Sequence, residues 1–127
     1  MAYDLHVVRT PHWTRAAENP ITKADVDALI ENDSELGWSK ADFVDMKGET
    51  GSVERFYMIL WNEVPCFWWH KSELLCSGAD DAQIRKLVDI ARVLDARVVG
   101  DDGEIYELRR SLFGSRKIIT RQAAPEA

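Results

Sequence analysis

Residues 53–70 read VERFYMILW, NE, VPCFWWH: a nine-residue strand pattern, a polar pair, and a seven-residue strand pattern holding two adjacent tryptophans. From Phe56 onward the first run is apolar on both faces, which predicts a strand near the sheet centre, covered on both sides. Asn62 and Glu63 turn the chain back into 64–70. Pro65 has no N–H, so it belongs at that strand's start or on an unpaired side. Side chains alternate along a strand, so Trp68 and Trp69 must face opposite sides of the sheet. The fold therefore grows from an antiparallel hairpin.

Upstream, residues 3–9 alternate and then run apolar through Leu5, Val7 and Val8, a first strand. Residues 11–20 form a loop with Trp13 as its large apolar anchor. Thr22 and Asp25 stand in capping-box spacing, Ile21 can staple onto Val26, and Val26, Leu29 and Ile30 give a one-sided helical stripe. A short strand over 42–47 and a turn at Gly48 to Gly51 lead into the hairpin. Downstream, a further short strand is expected over 74–77. Asp80 and Gln83 then cap a second helix, whose buried stripe is Ile84, Leu87, Val88, Ala91 and Leu94. A closing hairpin spans 96–99 and 104–108 around Gly100-Asp101-Asp102-Gly103. The expected fold is α+β in the order β-α-β-β-β-(β)-α-β-β: a mostly antiparallel sheet of five to seven strands with two helices on one face. Residues 3–108 make one domain, and 109–127 read as a flexible basic tail.

Charge is unevenly spread. Residues 109–127 hold Arg109, Arg110, Arg116, Lys117 and Arg121 against Glu126 alone. Subtracting these from the chain's 16 basic and 22 acidic residues leaves 11 and 21 in residues 1–108, a net of −10. Such a body repels nucleic acid and anionic membranes and attracts a basic protein partner. No run approaches the roughly 20 apolar residues of a membrane span. The N-terminal residues carry Asp4 and no basic segment leading an apolar one, so the expected location is cytoplasmic and the two cysteines are expected as reduced, buried thiols.

Chemistry-bearing motifs are sparse. On a regular strand Cys66 and His70 point the same way but stand about 13 Å apart at ~3.3 Å per residue, too far for one zinc or a thiol–imidazole pair unless the strand bulges. Asp45-x-Lys47 matches the acid-x-Lys element of metal-dependent nucleases, yet lacks a clear upstream acid and a basic surface. That pair is the centre of the alternative reading, a small metal-dependent hydrolase. Gly100 to Glu104 fails the alternating-oxygen pattern of a calcium loop and reads as a hairpin turn. No catalytic residue, metal or cofactor is expected.

Binding is the stronger expectation. Five tryptophans are more than a one-sided core readily absorbs, and aromatics beside acids are hot-spot composition. The candidate partner-binding residues are Asp101, Asp102 and Glu104, as an acidic knob, with Trp38, Trp68 and Trp69. The tail, alternating basic and apolar pairs through Leu112, Phe113, Ile118 and Ile119, would anchor only weakly on a membrane. The chain is expected as a monomer, or as a dimer if an exposed tryptophan face makes it an oligomeric structural module.

Two stretches, Tyr3-Asp-Leu-His-Val-Val-Arg9 and Val99-Gly-Asp-Asp-Gly-Glu-Ile-Tyr-Glu107, resemble small bacterial α+β proteins of the toxin-immunity type. They cover under a fifth of the chain. The resemblance implies a non-enzymatic inhibitor that neutralises a cognate toxin domain by direct binding, and it carries over no functional residue.

Overall fold

A computed structural model describes residues 3–47 and 53–122, with the side chains of 41–47 and 53 outside the description. The strands are β1 (Asp4–Val8), β2 (Leu36–Lys47), β3 (Val53–Trp61), β4 (Val64–His70), β5 (Glu73–Ser77), β6 (Arg97–Gly100), β7 (Glu104–Arg110) and β8 (Arg116–Gln122). Two α-helices, α1 (Lys23–Glu31) and α2 (Asp81–Val93), and a 3-10 segment, Trp13–Glu18, complete the fold. The strands form one open sheet in the order β2-β3-β4-β5-β1-β6-β7-β8, every neighbouring pair antiparallel. The turn expected at Gly48 to Gly51 lies outside the described residues.

The sheet has eight strands rather than five to seven. The extra one, β8, lies in what reads as a tail, because Ile118 pairs with Leu108 and Ile119 with Glu107 in a continuous antiparallel ladder from Arg110↔Arg116 to Glu104↔Gln122. The central strand is also different from the expected one. The meander β2 to β5 is laid down on one side of β1, and α2 carries the chain across to β6 on its other side. Leu5, His6, Val7 and Val8 are consequently all buried. β3 sits one strand from the edge, and among its described side chains only Ile59 is fully buried.

Both α-helices pack on one face of the sheet, against a core that includes Leu5, Val7, Ile59, Phe67, Leu74 and Val98. Their starts follow from local chemistry. The Thr22 hydroxyl accepts from the Asp25 N–H at 3.1 Å and the Asp25 carboxylate from the Thr22 N–H at 2.9 Å. At α2, Asp80 accepts from the Gln83 N–H at 2.8 Å and Gln83 from the Asp80 N–H at 2.9 Å. Losing such a cap costs about 1 kcal/mol. Asp80→Ala should therefore lower the urea midpoint by an amount equivalent to about 1 kcal/mol with the slope unchanged. A lysine fastens the helices to the sheet edge: Lys86 on α2 donates to Asp33 at 2.8 Å and to Glu35 at 2.7 Å.

Candidate functional site

Among the described residues, the face opposite the α-helices is covered in one part only. The 3-10 segment lies over β1 and β6, where Ala16 and Trp13 close a small cluster of Val8, Val99 and Ile105. Beneath Trp13 is His6, projecting to this side because Leu5 and Val7 take the helical side. Its ring is stacked on the indole, centroids 4.4 Å apart and planes 4° from parallel. Nδ1 lies 2.9 Å from Glu73 Oε1 and Nε2 lies 2.8 Å from Asp101 Oδ1. Both carboxylates can only accept when ionised, so the ring donates from both nitrogens as an imidazolium.

Burial opposes that charge, but the hydrogen bonds to Glu73 and Asp101 outweigh it and hold His6 above its ordinary pKa. Burial likewise opposes ionisation of Asp101; the bonds from His6 and from the Asp4 N–H more than offset it, so Asp101 lies below the ordinary carboxylate value. The three side chains come from β1, β5 and the β6–β7 turn, and they tie those elements together at the centre of the sheet. Trp13 adds a bond from its indole N–H to the Asp101 carbonyl at 3.1 Å.

The acidic turn is accordingly less free than its composition suggests. Asp101 is committed to His6 and to the Asp4 N–H, 2.9 Å away. Glu104 accepts from the Tyr3 hydroxyl at 2.7 Å and from the Tyr106 hydroxyl at 3.2 Å. The Tyr3 oxygen in turn accepts from the Asp102 N–H. Of the three candidate acids, Asp102 is the one whose carboxylate stands exposed.

The rest of this face lies beyond the 3-10 segment. There Phe56, Trp68 and Leu75, with Asp4 and Ser77 at the rim, line a recess of about 330 Å³. Phe56 meets Trp68 edge-on at 6.4 Å and lies flat against His70 at 3.9 Å. Burial lowers the pKa of His70, more than the Glu54 carboxylate 3.4 Å from Nε2 raises it. Two histidines on one face are thus shifted in opposite senses: the one between two hydrogen-bonded carboxylates upward, the one packed on phenylalanine downward.

The candidate tryptophans separate. Trp69 turns to the helical face, where its N–H donates to the Ile21 carbonyl at 2.9 Å. Trp38, also on that side, donates to Asp27 at 2.8 Å, with the Lys23 ammonium 5.0 Å from its ring centroid. Trp68 alone of the three faces the recess. The structure therefore brings Trp68 together with Phe56 and Asp4, and leaves Asp102, Trp38 and Trp69 elsewhere.

Cys66 and His70 do not share a face. The β3–β4 register steps from Ile59↔Phe67 to Leu60↔Pro65, so Cys66 is the extra residue of a bulge. The bulge turns Cys66 toward α2, where Gln83 donates to its sulfur at 3.3 Å and the Cys76 thiol lies within hydrogen-bonding reach. Both thiols are free, with Cys76 buried and Cys66 half-buried. Asp45 and Lys47 lie on β2 at positions paired with Arg55 and Val53, and their side chains lie outside the described residues. Among the described residues no group of three His, Cys, Asp or Glu side chains is placed to hold a metal ion.

The His6 network was not anticipated from sequence, since its partners stand 67 and 95 residues away. A lone histidine at an inward position of an otherwise apolar strand was the signal available. No family model matches the chain, nor does any curated protein or solved structure. No helix among the described residues is long and apolar enough to cross a membrane.

Proposed function

We propose that this chain is a non-enzymatic inhibitor of the immunity type, which binds a basic toxin domain through the recess on the helix-free face. What carries the reading is the half-buried Trp68, set beside Phe56 and Leu75 with the Asp4 carboxylate at the rim. An aromatic floor with an acid at its edge suits a lysine or arginine, whose stem packs on the rings while its charge meets the carboxylate. The acid-rich body, net −10 over residues 1–108, would speed the approach of such a partner. An inhibitor of this kind acts in the cytoplasm and needs neither metal nor cofactor.

The test is a titration of the purified chain against the toxin domain encoded beside its gene, followed by calorimetry and stopped-flow fluorescence. Nanomolar binding is expected, with an association rate that falls as salt is raised. Trp68→Ala should weaken it about 100-fold, close to 2.7 kcal/mol, as hot-spot tryptophans do. Asp4→Asn should slow association. Absence of binding, or a Trp68→Ala affinity equal to the parent's, would refute the proposal.

A further inference from the structure

The edge of the sheet farthest from β2 is the β7–β8 hairpin, whose tip projects beyond the core. β7 and β8 are joined through Ser111 to Ser115, and at the tip Leu112 and Phe113 are fully solvent-exposed, at 101% and 98%. The loop is closed by its own bonds. Ser111 N–H donates to the Ser115 carbonyl at 2.7 Å, Gly114 N–H to the Ser111 carbonyl at 3.1 Å, and the two serine hydroxyls meet at 2.7 Å. The apolar pair is therefore held outward by an ordered turn.

Beneath the tip stands a collar of cations. Arg110 pairs directly with Arg116 and Arg109 with Lys117 across the ladder, and residues 109–122 contain no acid. Like charges directly opposite one another destabilise a ladder unless an anion comes between them. Arg116 reaches Asp89 on α2 at 2.7 Å, which puts Arg110 and Arg116 on the helical face and, by alternation, Arg109 and Lys117 on the other. Among the described residues Arg109, Arg110 and Lys117 make no ion pair. We propose that this hairpin docks the protein on an anionic phospholipid surface, Leu112 and Phe113 entering the interface and Arg109, Arg110 and Lys117 engaging the headgroups around them.

Placement of charge on both faces of the ribbon favours a bilayer over a protein groove. A groove supplies its anions from one or two directions, whereas a lipid surface surrounds an inserted tip on all sides. The docking is reversible, because one short apolar tip with a basic collar gives modest partitioning and the acidic body opposes close approach. It does not rest on the recess reading, since the recess lies on β1, β3, β4 and β5.

The test is co-sedimentation of the full chain with vesicles of phosphatidylcholine alone or with about one-third phosphatidylglycerol. Partitioning into the anionic vesicles is expected to exceed that into neutral ones by about tenfold, and to fall by a similar factor between about 0.05 and 0.5 M salt. Leu112→Ser/Phe113→Ser should abolish it while leaving the circular dichroism unchanged, and Arg109→Gln/Lys117→Gln should weaken it. Equal sedimentation of parent and double-serine variant, or none by either, would overturn the proposal. So would lipid-free self-association that the double-serine variant loses, which would give the tip to a second copy of the chain.

Discussion

The His6→Ala variant is expected to lose about 3 kcal/mol of folding stability at neutral pH, which is a large share of what a domain of this size possesses. The magnitude follows from what the substitution leaves behind. His6 is 4% exposed and lies between the side chains of Glu73 and Asp101, 13% and 34% exposed. Removing the imidazolium strands two carboxylates side by side under Trp13, and breaking a buried charged pair costs about 3–5 kcal/mol. The lower end applies because Asp101 retains some contact with water. The stacked Trp13 also loses its partner, so tryptophan emission should shift to the red in the folded variant. Chemical denaturation monitored by circular dichroism gives the number; a loss below about 1 kcal/mol would mean that the carboxylates relax into solvent.

The same network gives stability a pH dependence of known sign. The folded-state pKa of His6 is raised. Its contribution is therefore complete below the unfolded value of about 6.5 and is lost as pH rises through the folded value. That of Asp101 is lowered, so its contribution is present above about 3.9 and is lost as pH falls through the folded value. His70, shifted down by burial, acts oppositely to His6 and below about 6.5. Above that point the decline from the histidines belongs to His6. The urea midpoint should fall in the parent as pH rises above about 6.5, and His6→Gln should flatten that slope. A parent midpoint flat over this range would show that the ring is neutral.

What could be read in the sequence was local. Capping boxes at Thr22 and Asp80 are set by residues three apart, and the 53–70 hairpin by adjacent strands, so both are visible without tertiary knowledge. The Gly100–Gly103 turn was visible for the same reason. β8 was not, because its apolar residues are only Ile118 and Ile119, and their partners Leu108 and Glu107 become apparent only once β7 is placed. The centrality of β1 depends on α2 crossing the sheet, a long-range event that no local pattern encodes. A bulge in 64–70 could be named only as an exception to the regular strand, because a one-residue irregularity leaves the alternation on both sides intact, yet it decides which face the Cys66 thiol occupies. At the candidate site, the opposite facing of Trp68 and Trp69 was legible from alternation alone. Which of them is free was not, because it depends on where α1 lands.

Trp69→Ala is expected to cost about 3 kcal/mol, and Trp68→Ala less than about 1, although the two residues are adjacent and chemically identical. Trp69 packs against the helical core, with its ring 5.6 Å from that of Tyr57, and its N–H holds the Ile21 carbonyl. Ile21 is fully buried and immediately precedes the α1 cap, so loss of the ring opens a cavity and frees the start of the helix together. Since the ring keeps some exposure, the cost falls at the low end of the range for aromatic truncation in a core. Trp68 stands at the wall of an open recess, edge-on to Phe56 and opposite Leu75, where water can refill the space it leaves. Denaturation of the two variants in parallel measures the difference, and equal losses would refute the assignment of faces. Binding should separate them in the reverse sense: the destabilised Trp69→Ala protein, assayed where it remains folded, should keep its affinity, and the stable Trp68→Ala protein should bind about 100-fold more weakly. A stable protein that binds weakly and a fragile one that binds as the parent does are the outcomes a recess-centred interface requires.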